Sequence, residues 1–190
     1  MDVVPSSSDP QELFIYLVNH RIPLGDRDAE QIGADSVIEI FTTTVGGNAM
    51  THIKTVENPI IVTPNDVVGS ADGKSFYFTN DNDAKVGLVS FFPILSLASP
   101  AERWALQMRN AGLFGAKSSS VGYCHIDDGC KFAITGTHSS NGIAAAPNGT
   151  VYVADSLYGG VIFLEPQADN TLVVSESVKT GTRYIIQCTY

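Results

Sequence analysis

The sequence is poor in basic residues: it has 11 Lys and Arg against 20 Asp and Glu, which leaves a net charge of −9. This deficit argues against nucleic-acid binding and against docking on anionic membranes. Long apolar runs are also missing. The stretch 86–99 is apolar, but it is short and is interrupted by Pro93, so it is unsuited to crossing a membrane.

Signal-peptide features and cysteines are scarce as well. The opening MDVVPSSSDP has neither a basic segment nor an apolar core, so no secretory signal is expected and the compartment stays undetermined. The three cysteines, Cys124, Cys130 and Cys188, are an odd number without the spacing of a metal site. Two interpretations stay open: a Cys124–Cys130 disulfide in a secreted protein, or three buried thiols.

The composition is that of a folded protein. Hydrophobic residues make up 44% of the chain and charged residues 16%, which is typical of a globular rather than a disordered protein. A chain of 190 residues can bury a substantial core, so we expect one domain over residues 1–190.

The stretch 63–81, TPNDVVGSADGKSFYFTND, predicts two short strands joined by a tight turn. β-forming runs at 67–69 and 75–79 flank this turn, where Gly73 is free to adopt positive φ. Oxygen-bearing side chains lie at the outer ends of both strands: Asn65, Asp66, Asn80 and Asp81. A scaffold could direct such groups at one ligand, and oxygen donors suit a hard cation such as Ca²⁺.

This unit is repeated along the chain. Asn141 precedes a short strand and a turn glycine, Gly149, at the same spacing of eight that separates Asn65 from Gly73. Apolar strands that carry a tyrosine and end in Asn or Asp occur three times. Their tyrosines are Tyr16, Tyr77 and Tyr152, which lie 61 and 75 residues apart. A β-sheet unit repeated with variable insertions is the signature of propeller blades, which usually span about 40–50 residues.

The rest of the chain predicts further strands and one helix. The alternation of apolar and polar residues predicts a strand at 36–43. The repeat and the runs that flank turn signals predict strands at 13–19, 49–56, 121–126, 131–135, 161–165 and 171–178. An insertion at 84–118 is expected to hold one α-helix at about 100–111, because Ser99, Pro100 and Glu102 form a helix start. We recognise no inner strand before residue 13. The chain is therefore expected to begin in mid-blade, with exposed strand edges through which it could self-associate.

These motifs together resemble the serum paraoxonase/arylesterase family of calcium-dependent six-bladed propellers. The likeness is carried by LFIYLVNHR with SVIEIF, by the Asn65–Asp66 block with FYFTND, and by SNGIAAAPNGTVYVAD. Their order matches the middle of that family's domain, although the last pattern alone also occurs in gluconolactonase-like propellers. The resemblance implies an all-β fold: a partial six-bladed β-propeller of about three blades, with one inserted α-helix.

The resemblance also implies a chemistry, the hydrolysis of lactones and aryl esters at a channel that holds Ca²⁺. Asn65 and Asn141 match ligands of the catalytic ion, and Asp66 matches a ligand of a structural ion. His20 matches one histidine of a pair proposed to activate water. Ester hydrolysis builds negative charge on an oxygen, which a cation stabilises, and imidazole groups exchange protons near neutral pH.

Each of these residues has a simpler interpretation. Asn65 and Asn141 could cap turns through their own backbone, and His20 could end a strand in solvent. Asn80 and Asp81 match no ligand of the family and are assigned either to the loop or to the surroundings of the ligands. Asn148 begins a glycosylation sequon in a predicted turn, and the interpretation of His138 as a core or surface residue is preferred to a place at the channel mouth.

The chain also departs from the family. The acidic calcium ligands and the second histidine would precede residue 1, and an Asp-Asn pair would follow Tyr190. Two functions are therefore kept. One is a calcium-dependent hydrolase of lactones and aryl esters that is incomplete as given. The other is a catalytically inactive propeller fragment that acts as a binding module.

Overall fold

Within residues 1–25, 33–82 and 117–181, which the computed structural model describes, the chain forms twelve β-strands and no helix. The strands are β1 (Asp2–Pro5), β2 (Glu12–Arg21), β3 (Asp35–Thr44), β4 (Thr51–Val56), β5 (Pro64–Gly69), β6 (Ser75–Asn80), β7 (Ser119–His125), β8 (Gly129–Thr137), β9 (Ser140–Ala145), β10 (Val151–Asp155), β11 (Gly160–Pro166) and β12 (Leu172–Lys179). They build three four-stranded antiparallel sheets, the first from β1–β4, the second from β5–β8 and the third from β9–β12.

Each sheet is a meander whose strands are paired in chain order, which is the form of a propeller blade. The prediction of an all-β, partial propeller with about three blades is therefore confirmed. The predicted helix at 100–111, and all of the predicted insertion except residues 117 and 118, lie outside the described residues. No helix among the described residues has the length and hydropathy needed to cross a membrane.

The expectation that the chain begins in mid-blade is wrong. β1 pairs with β2, with Val3 opposite Ile15 and Pro5 opposite Leu13, and it completes the first sheet. The strand has only four residues and is followed by three serines. Such a short element has little alternation of its own, and its pairing with β2 is what makes it a strand.

Side-chain alternation along β6 separates two cores. Phe76 and Phe78 are buried against the first sheet, where they pack with Tyr16, Ile38 and Ile40. Burial of each phenylalanine contributes about 1.5–3 kcal/mol. The second core lies between the second and third sheets and contains Val68, Val121, Ile143, Val153 and Leu164. The second sheet thus has a core on each face.

The three tyrosines of the repeat occupy equivalent places, each on the second strand of its sheet. Tyr16 is fully buried, and its hydroxyl donates to the Ser70 carbonyl of the second sheet at 2.9 Å. Tyr77 packs against the core that the second sheet shares with the third. Tyr152 alternates with the buried Val151 and Val153, so it lies on the outer face of the third sheet.

Cys124 and Cys130 are opposite residues of β7 and β8, and a disulfide joins them. The sequence left open either a disulfide or free thiols for this pair, and the structure shows the disulfide. Cys188 lies outside the described residues.

Candidate functional site

The first strands of the three sheets lie side by side, with β5 between β1 and β9. The Gly69 amide donates to the Asp2 carboxylate at 2.9 Å, and the Ile143 amide donates to Asp66 at 3.2 Å. These two bonds tie β5 to β1 and to β9. The arrangement corresponds to the inner strands of adjacent propeller blades.

Antiparallel pairing then collects the predicted site residues at one end of the sheets. Pro64 at the start of β5 is opposite Asn80 at the end of β6, and Ser140 at the start of β9 is opposite Asp155 at the end of β10. His20 likewise lies near the end of β2, beyond the residues that pair with β1. Asn65, Asp66, Asn141 and His20 therefore lie toward the same end of the assembly.

Asp66 is buried and accepts hydrogen bonds from three directions. Its Oδ1 accepts from the Val67 amide at 3.0 Å and from the Met1 ammonium at 2.8 Å. Its Oδ2 accepts from the Ile143 amide on β9. In the chain as given, a cationic group thus already contacts this carboxylate, and two further bonds hold the carboxylate between adjacent sheets.

Asn65 and Asn141 differ from Asp66 in their surroundings. Asn65 is exposed and Asn141 is half-buried. Within the described part of the chain, neither side-chain amide makes a hydrogen bond. Thr79 links the backbones of Asp66 and Asn141: its hydroxyl accepts from the Asp66 amide at 3.2 Å and donates to the Asn141 carbonyl. The turn-capping alternative therefore has no supporting contact for either asparagine in the described ranges.

His20 is exposed, and its Nδ1 lies 2.9 Å from the Ser36 hydroxyl on β3. It is also within electrostatic range of Asp81, one residue beyond β6. Burial raises the pKa of the Asp81 carboxyl, while a hydrogen bond with Thr63 and the charge of His20 act in the opposite direction. The structure thus relates His20 to an acid for which the sequence left open a place in the loop or around the ligands.

Asn80 has a structural role in the described chain. Its Oδ1 accepts from the Val62 and Thr63 amides, and its Nδ2 donates to the Ile60 carbonyl and the Ser120 hydroxyl. The side chain is fully buried. Asn80 therefore holds the loop that leads into Asn65.

The donor chemistry fits a calcium ion in kind, because amide and carboxylate oxygens are the ligands that Ca²⁺ prefers. Among the described residues the number of donors is smaller than such an ion needs, because Ca²⁺ takes about six to eight oxygens. Within the described ranges, no three His, Cys, Asp or Glu side chains form a cluster of the kind that holds a metal. Asn65 and Asn141 could supply amide oxygens to one ion, and Asp66 could supply a carboxylate oxygen to a second one.

Two features of the site had weak sequence signals. Thr79 is an ordinary strand residue in the sequence, and only the packing of β6 beside β9 reveals its bridging hydroxyl. Asp81 stands out in the sequence as an acid at a strand end, but its relation to His20 requires the folded chain.

No protein-family profile matches the chain. It is 26% identical over 171 residues to serum paraoxonase/arylesterase 2 of Gallus gallus, an alignment that covers 90% of this chain and 40% of that protein. Among solved structures, a protein described as a 6-phosphogluconolactonase from Bacteroides fragilis matches with a TM-score of 0.41 and 16% identity, over 92% of this chain and 38% of the other. A counterpart from Bacteroides uniformis matches with a TM-score of 0.41 and 13% identity, over 89% and 38%.

The chain thus spans about two fifths of the length of the curated relative that it matches. Over that part it is similar to a paraoxonase/arylesterase, and its three sheets have the form of propeller blades.

Proposed function

We propose that the chain carries part of a calcium-dependent site that hydrolyses lactones and aryl esters. The observation that carries this proposal is the adjacency of β5 and β9, which hold Asn65–Asp66 and Asn141 directly after their first residues. The similarity to a paraoxonase/arylesterase supports the same reaction class. His20 lies toward the same end of the sheets, where an ester bound near the two asparagines could meet a base.

In this proposal the Asn65 and Asn141 amide oxygens hold the catalytic ion, and the Asp66 carboxylate holds a second, structural ion. A bound calcium ion supplies a positive charge that polarises the ester carbonyl and stabilises the oxyanion. Neutral amide ligands preserve more of that charge than a set of carboxylates would. Asp66 would have to exchange the Met1 ammonium for a metal, while it keeps its bonds from Val67 and Ile143.

His20 acts as the general base in the proposed reaction. It takes a proton from a water molecule, and the water oxygen bonds to the carbonyl carbon. Cleavage of the ester carbon–oxygen bond then releases an alkoxide or phenoxide, which takes the proton back from His20. Ser36 on β3 positions the imidazole through its hydroxyl, and Asp81, one residue beyond β6, acts on the imidazole through its charge. The products are a carboxylic acid and an alcohol or phenol, joined in one molecule when the substrate is a lactone.

The experiment is a calcium titration of metal-free protein by calorimetry, with hydrolysis of a six-membered lactone and of phenyl acetate measured in parallel. We expect saturable calcium binding and calcium-dependent turnover. Asn65→Ala and Asn141→Ala should each weaken calcium binding by about tenfold or more, because each removes one oxygen ligand. The matched control is Asn148→Ala, which removes an exposed asparagine at the turn between β9 and β10.

Two results would overturn the proposal. One is the absence of calcium binding and turnover in folded protein. The other is calcium binding that responds equally to Asn65→Ala and Asn148→Ala. His20→Gln should keep calcium binding and lose turnover, which separates the base from the ligands.

The second candidate is a binding module without catalytic activity. The state of Asp66 favours it, because the Val67 and Ile143 amides already bond to this carboxylate and hold it between β5 and β9. The small number of candidate ligands among the described residues favours it too. Folded protein that shows neither calcium binding nor turnover would support this candidate.

A further inference from the structure

A second group of polar side chains lies where the second and third sheets diverge. A groove of about 620 Å³ is lined by β8 on one side and by β11 and β12 on the other. Sites for small molecules usually measure about 300–1,000 Å³. Asn65, Asp66, Asn141 and His20 do not line this groove. It is therefore distinct from the site proposed above, although Asp155 lies at the same end of the sheets.

His138 and Asp155 form one part of the lining. The His138 ring packs edge-on against Tyr158, with 4.7 Å between ring centroids. Its Nδ1 is buried and, within the described residues, has no hydrogen-bond partner. Asp155 is buried and accepts from the Tyr158 amide at 3.0 Å, and it is within electrostatic range of His138. A buried nitrogen without a partner is costly, and a ligand that bonds to it would offset that cost.

The charges of the groove contrast with those of the whole chain. Lys117 and Lys179 both line it and are exposed, and in the described ranges neither is in an ion pair. Two ammonium groups and an imidazole thus accompany the carboxylate of Asp155. In a chain with a net charge of −9, this lining is suited to a small anion.

The remaining walls are largely aliphatic and include Ile134, Val161, Ile162 and Val174. We propose that the groove between β8 and β11–β12 binds a small carboxylate with an aliphatic tail. On binding, the His138 ring turns toward the groove, so that the carboxylate accepts hydrogen bonds from Nδ1 and from the lysines. The tail packs on the aliphatic walls. Charge complementarity selects the head group, and the apolar walls select an alkyl tail over a polar one.

The test is a titration with sodium octanoate in buffer that contains EDTA, followed by calorimetry. The EDTA makes the result independent of the calcium proposal, so failure of one leaves the other standing. Octanol and octylammonium have the same tail with a neutral or a cationic head. We expect saturable octanoate binding that is about tenfold or more tighter than octanol binding, because octanol lacks the charge that the lysines attract.

Two variants test the groove from different sides. His138→Gln should weaken octanoate binding by about fivefold or more, because the amide cannot reproduce the imidazole donor. Val174→Trp should abolish binding by filling the groove, and Val174 is 50% exposed, so a larger side chain has room. His52→Gln on β4 is the matched control and should bind like the unmodified chain. Thermal unfolding verifies that each variant folds, and if Val174→Trp does not, His138→Gln decides alone.

Three results would overturn the proposal. Octanoate could fail to bind folded protein below about 10 mM, the weak end of specific affinity. Octanol could bind as tightly as octanoate, which would make the groove a purely apolar crevice. Binding could also be the same in His138→Gln, Val174→Trp and His52→Gln.

Discussion

At the scale of single residues, two neighbours at the start of β5 have different surroundings. Asn65 is exposed, and its side chain makes no hydrogen bond within the described residues. Asp66 is buried and joins β5 to β9 through the Ile143 amide. The Asn65 side chain is therefore available to bind a ligand, whereas Asp66 is needed for the packing of adjacent sheets.

Alanine at each of these two positions should separate the roles. Asp66→Ala leaves the Val67 and Ile143 amides without their acceptor and should lower the free energy of unfolding by about 1–3 kcal/mol. Asn65→Ala should change it by less than about 0.5 kcal/mol, as is usual for an exposed site. Urea unfolding measures both, and equal losses at the two positions would contradict this assignment.

Tyr16 gives the fold a dependence on alkaline pH. Burial raises the pKa of the Tyr16 phenol to about 12, whereas the phenol titrates near 10 in an unfolded chain. Because the folded value is the higher one, the stabilising contribution is complete below pH 10. It is lost as the pH rises from about 10 through about 12.

We expect Tyr16→Phe to make the stability of the protein fall less steeply between pH 10 and 12. At neutral pH the same change should cost about 1 kcal/mol, because the bond to the Ser70 carbonyl is lost. Urea unfolding at several pH values measures both effects, with Tyr152→Phe on the outer face of the third sheet as the control. A slope unchanged from that of the unmodified chain would refute this role of Tyr16.

At the scale of elements, residues that face each other on β6 and β7 are complementary in side-chain size. Gly122 on β7 is opposite Phe78 on β6, and a β-carbon at Gly122 would lie 2.3 Å from the Phe78 ring. The ring therefore occupies the space that any other side chain at position 122 would need. A glycine within a strand is otherwise unfavourable, so this close approach explains its presence.

Gly122→Ala should lower the free energy of unfolding by about 1–3 kcal/mol through overpacking. Phe78→Leu replaces the ring with a smaller side chain and so makes room for the new methyl group. The double variant should therefore lose less than the sum of the single losses, which a double-mutant cycle with urea unfolding measures. Additive losses would show that the two residues do not compete for space.

At the scale of the whole molecule, the second sheet contributes one face to each core. Ile40 in the first core and Leu164 in the second are both fully buried. The shared sheet couples the two cores, so the described sheets should unfold together.

Self-association of the chain through the edge strands β4, β8 and β12 stays a prediction.

Ile40→Ala and Leu164→Ala should each cost about 2–5 kcal/mol and lower the same cooperative transition. Circular dichroism and tyrosine fluorescence should follow one curve in each variant. A separate early transition in Leu164→Ala, with the first core still folded, would contradict this coupling.

Strands with a clear alternation could be predicted from the sequence to within a residue or two. The runs at 36–43 and 75–79 became β3 and β6 (Asp35–Thr44 and Ser75–Asn80), because alternation is a property of neighbouring residues. β1 could not be predicted in this way, since its strand character depends on pairing with β2. For the candidate site, residue types and strand-end positions were visible in the sequence, while the bridging role of Thr79 was not.

The sequence by itself determined the β-sheet unit, its repetition and the placement of oxygen-bearing side chains at strand ends, because these follow from local periodicity and turn chemistry. Only the tertiary structure decided that Asp66 bonds to β9, that His20 lies near Asp81, and that His138 lines a groove with Asp155. These relations join residues distant in the chain. They depend on how the three sheets pack together, which local patterns do not encode.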